Sequence, residues 1–330
     1  MGYSKWSNNA FASRQKHRKA TNTSAFTYDD HIRHTGNFVV HDEMNPFGKI
    51  RESRDSEQHP ESVAIGVVFD VTGSMGRVPR VLQTKLGSLM RLLIQKGYVK
   101  HPQVLFGAVG DAYCDRVPLQ IGQFESGIEM DDDLGKIFLE GGGGGQVHET
   151  YELAQYFFAY KTEIDCYEKR GKKGYLFTIG DEKPYKVIRQ NHVADLMNDS
   201  LETDISIEQV IGDLQKKYEY FHIVPANTTH GRKPEIQQHW RDLLGERVLV
   251  LEDESAVCET IALAIGLCEG TIDDLYAGIS DLASAGYDKN AATVASKALE
   301  PFATTGHASS NAVAAVLPAL SGGSKPDGRL

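Results

Sequence analysis

Hydrophobic and polar residues alternate along the chain in two rhythms. Residues 63–69 (VAIGVVF) form a continuous apolar, β-branched run, the pattern of a strand buried on both faces. The stretch 79–96 then places Val81, Leu82, Leu86, Leu89, Met90 and Leu93 at helical spacing, with Pro79 near its start and Gly97 as its stop. The exchange recurs: QVLFGAVG (103–110), GYLFTIG (174–180), YFHIV (220–224) and RVLVL (247–251) read as strands. VPLQIG (117–122) follows its predecessor so closely that only an antiparallel hairpin fits, because a parallel crossover needs about a dozen residues. Helices are expected at about 131–138, 149–161, 185–197, 207–219, 234–244 and 255–269.

Strands alternating with helices predict an α/β fold, a doubly wound and mostly parallel sheet with helices on both faces, spanning residues 61–269. The first 60 residues, including NPFGK and RESRDSEQHPES, are polar and irregular and read as an arm that lies on the domain or is partly disordered. After Gly270, short helices at about 271–284 and 289–301 form a C-terminal helical extension (270–302). Residues 303–330, ending SGGSKPDGRL, read as a flexible tail.

The strands stop in a telling way. VVF ends at Asp70, GAVG at Asp111 and FTIG at Asp181. In an open parallel sheet all carboxyl ends lie along one edge, where ligands bind, so the three carboxylates converge if their strands are neighbours. Such carboxylates repel one another unless something positive compensates them, and a cation does so economically. The competing reading is that aspartates only cap helix N-termini, with Asp111 the best candidate for that role or for a group behind the ligands. FDVTGSMG sharpens the case, because Asp70, Thr72 and Ser74 alternate while Gly73 and Gly76 bend the turn. Hard oxygen donors of this kind suit Mg²⁺, Mn²⁺ or Ca²⁺ rather than zinc.

FDVTGSM resembles the DxSxS element of the metal-ion-dependent adhesion site of von Willebrand factor A domains, with Thr72 for the first serine. The resemblance covers about residues 61–269 and implies a six-stranded sheet of order 3-2-1-4-5-6 with one antiparallel edge strand. By it, the metal ligands are Asp70, Thr72, Ser74, a loop threonine matching Thr150, and Asp181. Thr150 departs from the family pattern, since GGGGGQVHET sets it five residues beyond the last glycine; Glu149 is the alternative loop ligand. The implied function is capture of a carboxylate of a partner protein at an open coordination position, and intracellular relatives act beside MoxR-type AAA+ ATPases.

Composition narrows the alternatives. The net charge is −10, and residues 1–28 hold Lys5, Arg14, Lys16, Arg18 and Lys19 with no acid, which leaves −15 on the remainder. An acidic body of this kind argues against nonspecific nucleic-acid binding. A Ro-like RNA-binding reading therefore rests on the basic arm alone. A metal-dependent phosphohydrolase or phosphotransferase is the other alternative, because FDVTG is similar to the haloacid-dehalogenase DxDx[TV]; Thr72 stands where that chemistry needs its acid. Four scattered cysteines without a CxxC pair fit a reduced, cytoplasmic setting, and no apolar run has the length of a membrane span.

Overall fold

The computed structural model describes residues 3–142 and 147–305. The last three glycines of the run, Gln146 and nearly all of the tail expected at 303–330 lie outside the described residues. The central sheet has six strands: β1 (Val63–Asp70), β2 (Pro102–Val109), β3 (Leu119–Ile121), β4 (Gly174–Ile179), β5 (Tyr218–Pro225) and β6 (Val248–Leu251). Their spatial order is 3-2-1-4-5-6, all parallel except β3, which runs antiparallel at the edge. The doubly wound α/β architecture is the one the alternation predicts.

Twelve helices accompany it among the described residues: α1 (Asn8–Thr21), α2 (Thr27–Thr35), α3 (Val78–Gln95), α4 (Glu129–Gly135), α5 (Tyr151–Tyr160), α6 (Asp165–Arg170), α7 (Gln190–Met197), α8 (Ile207–Lys217), α9 (Pro234–Leu244), α10 (Val257–Glu269), α11 (Leu275–Ser284) and α12 (Lys289–Thr304). Strand periodicity sends Ile65, Val67 and Phe69 to one face, where Leu86, Leu89, Ile261, Ala264 and Leu299 of α3, α10 and α12 cover them. Ala64 and Val68 face the other way, toward Leu153, Phe157, Val210, Leu214 and Trp240 of α5, α8 and α9. Gly66 sits on that second face, and its missing side chain admits the ring of Phe158; a Cβ there would lie 2.3 Å from Phe158 Cε1.

The N-terminal segment differs from the irregular arm expected. It forms two helices that dock on the domain, and the reason is specific. Ser7 caps α1 by accepting from Ala10 N, and Phe11 is buried against Gly87 of α3, where a Cβ would come within 2.8 Å of its ring. Arg18 donates to both oxygens of the fully buried Asp131 at 2.9 and 2.7 Å, and Arg14 reaches Asp131 and Asp132. Two of the five basic residues are thereby committed to α4, a partner pattern invisible to periodicity. Two further segments also depart from expectation. Lys183–Pro184 and Val187–Ile188 are short strands where a helix from 185 was expected, because they pair with His148–Glu149 and with Ile205–Ser206; the helix expected from 149 accordingly begins at Tyr151. Arg51–Ser53 pairs in parallel with Thr162–Ile164, a strand the charge-mixed lead-in gave no sign of. No helix among the described residues is long and apolar enough to cross a membrane.

Register positions the strand ends. Asp70 lies opposite Val109 of β2, and Phe69 opposite Ile179 of β4, so Gly180 and Asp181 come directly beside Asp70 while Asp111 lies two residues past its level. Gly180 makes this neighbourhood possible, since a Cβ there would fall 1.8 Å from the hydroxyl of Tyr151.

Two glycines thus carry the packing between sheet and α5. Gly66→Ala and Gly180→Ala are each expected to destabilise the fold by roughly 1–3 kcal/mol through overpacking. Thermal unfolding should report this as a drop of about 2–4 °C per kcal/mol, whereas Gly142→Ala, which meets nothing within 4 Å, should leave the transition in place.

Candidate functional site

The turn after β1 folds back on its own aspartate. Asp70 Oδ1 accepts from the Thr72 amide at 2.7 Å and from the Thr72 hydroxyl at 2.6 Å. Its Oδ2 accepts from Tyr151 Oη at 3.0 Å. Gly73–Met75 forms one 3₁₀ turn that carries Ser74 toward β4, where its hydroxyl donates to Asp181 Oδ1 at 2.7 Å, and Thr72 Oγ1 lies 3.4 Å from Ser74 Oγ. Asp181 Oδ2 accepts from the backbone N–H of His230 at 3.2 Å. Asp70, Thr72, Ser74 and Asp181 are therefore one connected cluster at the carboxyl edge of the sheet, and all but Ser74 are buried.

The other sequence candidates stand around this cluster. Thr150 is fully buried; its hydroxyl donates to the Gly110 carbonyl and accepts from Ala112 N at 3.3 Å, which ties the end of β2 to the start of α5. Asp111 accepts from Tyr113 N at 3.0 Å and from Tyr185 Oη at 3.1 Å; it orders a turn rather than capping a helix N-terminus, the role expected for it. Glu149 is buried, and its Oε2 has no hydrogen-bond partner. His148 stacks on Tyr185 with ring centroids 5.2 Å apart.

Three participants were not singled out from the sequence. Tyr151 sends its hydroxyl through the space above Gly180 to Asp70, and its ring is fixed edge-on by His222 and Trp240, each with centroids 5.4 Å away. Glu182 follows Asp181, is buried, and reaches Glu149 and the His230 ring, 2.8 Å from Nδ1. His230 supplies the amide to Asp181. Only Glu182 left a trace, as a second acid directly after a strand-end aspartate; the tyrosine and histidine contacts depend on tertiary placement.

Electrostatics at the cluster run against ionisation. Burial, followed by the charge of Asp181, pushes the Asp70 carboxyl up to about 7, against the hydrogen bonds from Thr72 and Tyr151 that favour its anion. Burial and the charges of Asp70 and Glu182 raise Glu149, while burial, Asp70 and Asp181 raise Glu182. Burial and Asp70 hold the Tyr151 phenol far above its usual value, so it remains a donor. Glu149 Oε2 and Glu182 Oε2 are both buried acceptors without a donor. Among the described residues no group of three or more His, Cys, Asp or Glu side chains is disposed to hold a metal. The donor set is instead two aspartates with two hydroxyls, with orphaned carboxyl oxygens beside them, and such hard oxygens suit Mg²⁺, Mn²⁺ or Ca²⁺.

The glycine run abuts the same turn. Gly141 N donates to Val71 O at 3.0 Å, and Gly73 N donates to Gly142 O at 2.7 Å. Gly141 has a φ of +66°, a backbone state that disfavours side chains, and a Cβ on Gly73 would press on the carbonyls of Gly141 and Gly142 at 3.2 and 3.3 Å. The first two glycines thus strap the Thr72–Ser74 turn through backbone hydrogen bonds.

No family model matches the chain, and no curated protein matches it. Among solved structures it is similar to the pilus adhesin SpaC from Lactobacillus rhamnosus GG in its open conformation, with a TM-score of 0.42, 10% identity, and coverage of 67% of this chain and 31% of the adhesin. A further crystal structure of that adhesin gives 0.41 and 11% identity over 67% of this chain and 32% of the adhesin. Proximal thread matrix protein 1 from the mussel byssus gives 0.39 and 8% identity, covering 66% of this chain and 48% of that protein. The chain therefore spans about a third of the adhesin and about half of the matrix protein.

Proposed function

We propose that this protein is a von Willebrand A-type module that binds a divalent cation at Asp70, Thr72, Ser74 and Asp181 and uses it to capture an acidic group of a partner protein. One observation carries the reading: two buried aspartates on adjacent strands, each already hydrogen-bonded by a hydroxyl of the same short turn, with the charge of Asp181 acting to raise Asp70. A cation accepts lone pairs from all four side chains at once and removes the repulsion between the aspartates. When bound, the ion supplies an electrophilic position for an incoming carboxylate. The chain's residues do the rest: Tyr151 and the Thr72 amide orient Asp70, the His230 amide orients Asp181, and the glycine strap fixes the turn. A MoxR-type AAA+ ATPase is the partner class to test first, on the resemblance of the DxTxS element alone.

The fifth ligand is assigned to Glu149 rather than Thr150. The Thr150 hydroxyl is engaged on both sides by backbone groups, whereas Glu149 holds a buried oxygen without a partner and feels the charge of Asp70.

Calorimetric titration with MgCl₂ or MnCl₂ should show binding by the wild type and none by Asp70→Ala, with circular dichroism unchanged; equal heats in both would refute the site. Glu149→Gln is expected to weaken metal binding by about tenfold or more and Thr150→Val to have little effect, which separates the two loop residues. Tyr151→Phe, which removes only the hydroxyl that orients Asp70, should weaken it by a similar factor of about ten. Affinity capture from lysate should retain a partner in Mg²⁺ and lose it both in EDTA and with Asp70→Ala; a partner held equally well in all three conditions would mean that capture does not run through the ion.

A further inference from the structure

The turn that carries Thr72 has a second hollow on its outer side. A cavity of about 200 Å³ opens next to Thr72, between the start of α3, the segment before the glycine run and helix α2 of the N-terminal arm. Val71 and Met75 give it a buried apolar wall, while Arg33 from α2 and Arg80 from the first turn of α3 bring two guanidinium groups to it. Asp29 also lines it but is spoken for: Arg33 Nε donates to both its oxygens at 3.0 and 3.1 Å, and Leu139 N donates to it at 3.1 Å. Arg33 further donates to the Leu139 carbonyl. Arg80 is exposed and has no carboxylate partner among the described residues. The cavity thus holds one balanced ion pair and one unbalanced cation, on a protein whose net charge is −10.

Thr72 belongs to both places. Its hydroxyl is bonded to Asp70 at 2.6 Å, and the same residue forms part of the cavity wall. Through Thr72 the hollow adjoins the turn that presents the oxygen donors.

From this shared wall, the apolar lining and the unpaired guanidinium, we infer that the cavity is a second anchor for the captured partner and takes a glutamate side chain of the same segment. The inference rests on the cation-capture reading above. The two methylenes of glutamate suit the Val71 and Met75 wall, and its carboxylate meets Arg80 in the forked geometry guanidinium favours. Recognition is then bipartite: an acid on the metal, and a glutamate a short distance along the chain in the pocket that the arm and α3 enclose. The arm acquires a function by this account, since Arg33 both neutralises Asp29 and closes one side of the hollow.

The probes are fluorescein-labelled peptides on a Gly/Ser background: one with a single aspartate, and a set with a glutamate placed two, three, four or five positions to either side of it. They are titrated by anisotropy against the full chain in Mg²⁺ and in EDTA. The expected result is Mg²⁺-dependent binding of the single-acid peptide and about tenfold tighter binding at one preferred glutamate spacing, the size of a good charge-assisted contact. Arg80→Gln should erase that gain and Arg80→Lys keep part of it, while Mg²⁺ binding and single-acid binding stay as in the wild type. Arg80 is a surface residue, so the fold is not at stake. No gain at any spacing, a gain that survives Arg80→Gln, an equal gain from aspartate at the second position, or an Arg80-dependent gain that persists in EDTA would each overturn the pocket assignment while leaving the cation site standing. No Mg²⁺-dependent binding of any peptide would overturn the capture reading and the pocket with it.

Discussion

Two carboxylates on neighbouring strands, Asp70 and Asp181, are both removed from water, and the rest of the site is organised by the cost of keeping them there. A single ion buried in low dielectric is already expensive, and a second of the same sign nearby adds to it. The fold answers with oriented donors. The Thr72 amide and hydroxyl and the Tyr151 phenol point at Asp70, and the Ser74 hydroxyl and the His230 amide point at Asp181. None of these donors carries a formal charge, so they soften the repulsion without cancelling it. The shortfall shows in the raised Asp70, Glu149 and Glu182 carboxyls and in two buried oxygens without donors.

What could be read from the sequence followed from period and register. Apolar runs as uniform as VAIGVVF admit only a strand covered on both faces, and a strand-end aspartate repeated three times has one edge to converge on. The alternation of strands and helices therefore came through, while the sheet order and the neighbourhood of Asp70 and Asp181 were expected only from the resemblance of the DxTxS element. Contacts made by side chains far apart in sequence did not come through. Tyr151 reaches Asp70 only because Gly180 leaves its hydroxyl room and because His222 and Trp240 stack with ring centroids 3.5 Å apart beside it, a set of coincidences with no local signature. The arm was opaque for the same reason: α1 is weakly amphipathic, and it holds through one phenylalanine over Gly87 and two arginines on Asp131, partners more than sixty residues away.

The glycine run shows how a composition signal can have a backbone cause. Absence of side chains suggests room for a ligand. Among the described residues the first two glycines serve backbone pairing instead, since their amide and carbonyl groups bond to Val71 and Gly73 and hold the turn that presents Thr72 and Ser74. The same segment is fastened on its far side to Asp29 and Arg33 of α2. A helix of the arm, the strap and the donor turn are thereby a continuous hydrogen-bonded path, and the placement of Thr72 depends on residues forty positions before it.

Charge arithmetic connects this scaffold to the proposed cation. On the proposed reading, a divalent ion offsets the charge of the two aspartates. Glu149 and Glu182 lie beside the cluster, where burial and the neighbouring anions both raise them. Tyr151, with its proton held by burial and by Asp70, contributes a donor and no charge beside Asp70.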